Sequence, residues 1–165
     1  MQWKRLLRHL LSDQWSVRRA FPQAAMRAIR DQIGAQENRH GGELRFAVEA
    51  GLPLLHLWRG QGARSRAVEL FGQLGVWDTE HNSGVLIYLL LADKQVEIVA
   101  DRGIHHRVGT AAWEAICGEM QRAFAAGRFE QGVCFGVAAI SDLLAAHFPP
   151  GGGRGNELPN EPVVL

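Results

Sequence analysis

The sequence predicts an α/β fold: a three-layer α/β/α sandwich in which a small mixed sheet of three to four strands carries helices on both faces. Three observations lead there. Residues 43–49 alternate polar and apolar side chains with a period of two, as a half-buried strand does. Residues 84–91 are apolar at nearly every position, which requires cover on both sides of the sheet. Around these runs stand segments whose apolar residues recur at helical spacing. At 165 residues and 47% hydrophobic, the chain suits one domain with a sizeable core.

The elements follow in order. Trp3, Leu6, Leu7, Leu10 and Leu11 recur at helical spacing among Lys4, Arg5, Arg8 and His9. That is a short amphipathic helix, expected to dock its apolar face on the body, with an anionic membrane surface as the alternative. A second helix starts near Pro22, where a missing N–H costs nothing. Met26, Ile29 and Ile33 mark its inner face, and His40-Gly41-Gly42 ends it. After the strand at 43–49, the segment 51–62 carries Leu52, Leu54, Leu55, Leu57 and Trp58. It is too apolar for a plain surface loop and is expected to pack on the body or to form a dimer contact.

Ala63, Ala67, Leu70, Phe71 and Leu74 make the next helix stripe. Strands at 84–91 and 95–100, joined by Ala92-Asp93-Lys94, form a hairpin. Trp113, Ile116, Cys117, Met120 and Phe124 define another helix, and Val133, Val137, Ile140, Leu144 and Phe148 the last, stopped by Pro149-Pro150. A Gly-rich linker then leads to Val163-Val164-Leu165, expected to be disordered or to dock on its own domain, with strand addition to a partner as the alternative. The chain thus divides into a basic helical segment at 1–39 packed on the domain, an α/β/α domain at 40–150 and a tail at 151–165.

Charge and composition exclude several classes of function. The net charge is +1, against a dedicated nucleic-acid binder. Residues 1–40 nevertheless carry +5 and the remainder −4, so the leading segment can steer acidic partners or simply be solvated. Two cysteines, Cys117 and Cys134, make neither a disulfide scaffold nor a Cys₄ zinc site and read as small core residues. Arg8-His9 splits the leucines of the first helix, against a secretory signal, and no apolar stretch is long enough to read as a membrane span. A cytoplasmic location is expected.

Topology places a candidate site. The strand at 43–49 reaches the strand at 84–91 through a helix, so the two should be parallel, while the hairpin partners are antiparallel. His40, Gly42 and Glu43, then Glu80, His81, Asn82 and Ser83, then Asp101, Arg102, Gly103, His105 and His106 therefore converge at one end of the sheet. Oxygens of Glu80, Asn82 and Asp101 suit Ca²⁺ or Mg²⁺, while His81 or His105 suits Zn²⁺. The plainer reading makes Asp101-Arg102-Gly103 a strand-to-helix turn, with Asp101 accepting backbone N–H bonds and Gly103 supplying a positive φ. No residue set matches a Ser-His-Asp or Cys-His nucleophile, a P-loop or an HExxH zinc helix.

Residues Trp77-Asp78-Thr79-Glu80-His81-Asn82-Ser83-Gly84-Val85-Leu86-Ile87-Tyr88, followed by Val96-Glu97-Ile98-Val99-Ala100-Asp101-Arg102-Gly103-Ile104, resemble a TPM domain. Trp113, the stretch Phe124–Gly132 and His147-Phe148-Pro149 are similar to the same family, so the resemblance spans roughly 40–150. It implies an α/β/α sandwich. The family includes thylakoid-lumen proteins linked to photosystem II repair and acid phosphatase activity, membrane-anchored members, and small soluble bacterial proteins. It also implies a divalent-cation site at the turn before the central strand, where an acidic residue precedes asparagine-glycine. This chain has His81-Asn82-Ser83-Gly84 there, which removes a hard oxygen ligand.

The expected function is a non-catalytic interaction module acting on a protein partner. Two alternatives stand beside it. One is a metal-dependent phosphate monoester hydrolase, with Asp101 and Glu80 holding the cation and Arg102 steadying the phosphoryl oxygens. The other is a membrane-surface adaptor led by the first helix.

Overall fold

The computed structural model describes residues 3–151 and 156–165. The Gly-rich stretch read as a linker falls largely at 152–155, outside them. Four strands, β1 (Glu43–Glu49), β2 (Gly84–Leu90), β3 (Gln95–Ala100) and β4 (Val163–Val164), form one sheet in the order β3-β2-β1-β4. β1 runs parallel to β2 with Glu43 opposite Gly84, and β2 runs antiparallel to β3 with Val85 opposite Ala100. The hairpin turns through a 3₁₀ segment at Leu91–Asp93, with Lys94 at φ +51°. The C-terminal tail docks on its own domain: β4 pairs in parallel with Ala47 and Val48 of β1.

Side-chain alternation assigns the two faces. Leu44, Phe46 and Val48 of β1, with Val85, Ile87 and Leu89 of β2, point into one core. That core is closed by α3 (Gln23–Glu37), α6 (Arg102–Val108), α7 (Thr110–Ala125) and α8 (Phe129–His147). Ala47, Leu86, Tyr88 and Leu90 point into the other, closed by α4 (Leu54–Trp58) and α5 (Ala63–Gln73) together with Leu158 of the tail. α8 is long and apolar enough, by length and composition, to cross a bilayer. Here Val133, Val137, Ile140 and Leu144 are wholly buried in the first core. A Cβ at Gly136 would lie 2.5 Å from Met120 Sδ, so a bare glycine lets α7 and α8 approach.

Glu49 carries a buried charge at the far end of β1. Arg66 of α5 grips its carboxylate with two bonds of 3.0 Å, and the Tyr88 hydroxyl donates to Glu49 Oε2 at 2.6 Å. The salt bridge is fully hydrogen-bonded on the acid side, the condition for tolerating charge in a core.

One sequence expectation needs correction here. α1 (Trp3–Leu11) does not dock through its leucine face. Arg5, Arg8 and His9 gather around Asp93 at 2.9, 3.2 and 3.2 Å, Leu6 meets the second core, and Trp3, Leu7, Leu10 and Leu11 face solvent. A largely covered carboxylate gripped by two guanidinium groups and an imidazole outweighs apolar docking for so short a helix. α2 (Gln14–Ala20), capped by Asp13 accepting from the Ser16 N–H, and α6 carry too few apolar residues to announce themselves by periodicity.

Candidate functional site

The three places expected to converge do converge. The Glu43 N–H donates to Ser83 O at 3.3 Å and the Asp101 N–H to Gly84 O at 2.8 Å, which ties the starts of β1 and β2 to the exit of β3. Ser83 Oγ donates to Gly41 O at 3.2 Å. Gly103 is not in a positive-φ conformation among the described residues; its role is close approach. A Cβ there would lie 2.5 Å from Asn82 O and 2.9 Å from His81 O, so the 81–82 turn rests on the bare backbone of α6. Asn82 is the left-handed residue of that turn, at φ +50°.

The residues at this end nevertheless split into two groups. Glu80 and His81 line a cleft of about 970 Å³, together with Glu37, His40, Glu43, Arg107, His147 and Glu157. Asn82, Asp101, Arg102 and His105 do not line it. Asp101 caps α6, its Oδ1 accepting from the Arg102 N–H at 2.6 Å, while Oδ2 is buried without a hydrogen-bond donor among the described residues. Arg102 and His106 are exposed and His105 is half-buried, the two imidazole centroids 6.4 Å apart.

Glu43 serves structure. Its two carboxylate oxygens accept from the backbone N–H groups of Glu157 and Leu158 at 3.1 and 3.2 Å, which fastens the tail across the sheet end. Glu157 in turn accepts from the Glu80 N–H at 3.2 Å. Burial raises the Glu43 carboxyl above its ordinary value, and the two N–H bonds oppose that rise.

Glu37 faces Glu43 from the last turn of α3, and burial together with the Glu43 charge pushes its carboxyl up to about 7. Its Oε1 is buried without a hydrogen-bond donor among the described residues. His40 is buried, with Nδ1 3.0 Å from Gly42 O. A carbonyl only accepts, so Nδ1 carries the proton, and the Nε2 lone pair has no partner among the described residues. Burial lowers the His40 pKa and keeps the ring neutral.

On the other rim, Arg107 donates to His147 O at 2.8 Å and stacks over the Phe148 ring at 4.6 Å. Composition hid this part of the site. Glu37 reads as an ordinary helix residue, and the tail's place in the wall follows from its pairing with β1 and Glu43, which no local pattern encodes. The one local signal was the position of Glu37, three residues before His40-Gly41-Gly42.

This is a mixed-sheet sandwich of helices whose strand ends gather a polar turn, and comparison with known proteins places it in a family. A model of the TPM domain matches residues 18–143; the chain belongs to the TPM domain family. The match reaches back to residue 18, so the family's pattern takes in α3, whose Ile29 and Ile33 are wholly buried in the first core.

The fold is similar to the NMR structure of the BA42 protein from the psychrophilic bacterium Bizionia argentinensis. The two are 29% identical over 88% of this chain and 95% of that one, with a TM-score of 0.77. It also resembles the N-terminal domain of a protein from P. gingivalis at 18% identity, over 79% of this chain and 82% of that one, with a TM-score of 0.62; that likeness shows the fold alone. No curated protein matches the chain.

The divalent-cation site implied by the resemblance does not fit the residues here. A Ca²⁺ ion takes six to eight oxygens. Asp101 spends one oxygen on its helix, the acid expected at the turn is replaced, and among the described residues no three His, Cys, Asp or Glu side chains cluster to hold a metal.

Proposed function

We propose that this TPM domain is a non-catalytic binding module whose cleft receives a lysine- or arginine-bearing segment of a protein partner. The observation that carries the reading is the Glu37 carboxyl. It lines the cleft half-buried and is pushed up to about 7 by its surroundings; the Asn160 side chain and the Leu44 N–H donate to the carboxyl, and its Oε1 has no donor among the described residues. An ammonium or guanidinium group supplies both the missing donor and the charge that lets Glu37 ionise. Glu43, Glu80 and Glu157 add negative potential around it, and Arg107, the one arginine of the lining among the described residues, is engaged at the rim with His147 and Phe148.

An amide NMR titration with an oligolysine peptide tests the reading. Saturable shifts confined to residues 37–43, 80–83 and 156–160, weakened at least fivefold by Glu37→Gln, are expected. Absence of shifts at millimolar peptide refutes it. So does cation-dependent turnover of a generic phosphate monoester that Asp101→Ala abolishes with the fold intact, because that result selects the hydrolase alternative.

A further inference from the structure

The face of α1 that the fold leaves outside is its apolar one. Trp3, Leu7, Leu10 and Leu11 follow the i, i+4, i+7, i+8 pattern of one helix side, and Trp3 and Leu11 are 72% and 78% exposed. Scattered exposed leucines need no explanation, but four large apolar side chains on one side of a nine-residue helix do. The helix is not loose. Its opposite edge is pinned by the ring of Arg5, Arg8 and His9 around Asp93, and His9 Nδ1 accepts from the Leu52 N–H at 2.9 Å.

Leu52 leads straight into α4, so the two helices leave from one junction. α4 repeats the arrangement: Leu57 is buried while Leu54, Leu55 and Trp58 are exposed, Trp58 by 75%.

Charge decides what such a surface meets. Lys4, Arg8 and Arg59 are exposed on these two helices and their ends, and no acidic residue falls within residues 3–11 or 50–62. Trp3 and Trp58, set among a lysine and arginines, match the headgroup boundary, where an indole places its ring against acyl chain and its N–H toward water. A single apolar helix binds a bilayer weakly, and stable docking takes a second signal, which the basic side chains supply.

We propose that the chain docks on an anionic lipid bilayer through the outer faces of α1 and α4. The cleft stands at the other end of β1, so the docked protein presents it to solution and away from the lipid. The inference is independent of what fills the cleft.

Vesicle co-sedimentation of the full chain tests it, with phosphatidylcholine vesicles carrying or lacking roughly 30% phosphatidylserine. Binding to the anionic vesicles with a blue shift of tryptophan emission is expected, weakened by about 0.5 M NaCl. Removing two exposed charges by Lys4→Gln and Arg59→Gln should weaken it by roughly fivefold each. The triple substitution Leu7→Ser, Leu10→Ser, Leu11→Ser should abolish it with circular dichroism unchanged, since none of the three packs in a core. Failure to bind anionic vesicles at low salt overturns the proposal, as does equal binding by the triple variant. A concentration-dependent dimer that the triple variant loses, without vesicle binding, also overturns it and assigns the face to a second copy.

Discussion

Glu37→Gln is the perturbation that interrogates the cleft most directly. The folded chain holds the Glu37 proton up to about pH 7, whereas the unfolded chain releases it near the ordinary 4.5. Folding therefore takes up a proton between those values. The stabilisation tied to it is complete below 4.5 and is lost as pH rises toward 7 and beyond. A shift of about 2.5 pKa units in a fully dry site would correspond to about 3.4 kcal/mol. Glu37 is only half-buried, and solvent screening reduces this to about 1–1.5 kcal/mol.

His40 opposes the trend, because burial lowers its pKa and its own contribution falls as pH drops through the folded value. The difference between wild type and variant isolates Glu37. Chemical denaturation at pH 5 and pH 8 should show Glu37→Gln gaining about 1–1.5 kcal/mol on wild type between the two, or about 2–6 °C in Tm. Parallel pH profiles would show that the carboxyl ionises as freely in the folded chain as in the unfolded one, and the electrostatic account of the cleft would fail.

Three further substitutions test the scaffold. Glu43→Ala removes both acceptors that hold the tail and should cost about 1–2 kcal/mol, read as faster amide exchange at Leu158 and Leu165; unchanged protection there would refute the anchor. Gly103→Ala should cost about 1–3 kcal/mol and shift the amide signals of residues 80–84, because its Cβ meets two backbone carbonyls that cannot swing aside, whereas Gly118→Ala, with open space on a helix, should stabilise by about 0.5–1 kcal/mol. Arg66→Ala leaves Glu49 buried without its guanidinium and should cost about 3–5 kcal/mol by urea denaturation, against about 1 kcal/mol for Tyr88→Phe.

Legibility from sequence followed the range of the interaction that decides each feature. The hairpin, the parallel pairing of β1 with β2 and the stripes of α5, α7 and α8 rest on periodicities repeated over seven or more residues, and the structure reproduces them. β4 rests on two residues whose pairing depends on an edge of β1 left open more than a hundred positions earlier. The docking of α1 turned on Asp93, whose attraction for Arg5, Arg8 and His9 overrode the amphipathic pattern. The cleft was legible as a place and not as a residue set. Strand order brought Glu43, Glu80 and Asp101 to one end, but helix capping took Asp101 out of the cleft and α3 delivered Glu37 into it.

That exchange has a consequence for binding. A carboxyl that holds its proton to about pH 7 makes a poor acceptor for a cation below that value and a good one above it. A lysine or arginine entering the cleft must displace the proton, so binding and proton release are linked. Affinity for an oligolysine peptide should climb between pH 6 and 8 by up to tenfold per unit, the limit for one proton exchanged. Calorimetry in two buffers of different ionisation enthalpy should count about three-quarters of a proton released at pH 6.5 and almost none at pH 8.5. Ordinary solvent-exposed carboxylates are already ionised across that range and would release none. A flat pH profile would therefore place any peptide contact on the rim acids Glu80 and Glu157 and leave Glu37 as a core carboxyl with no part in recognition.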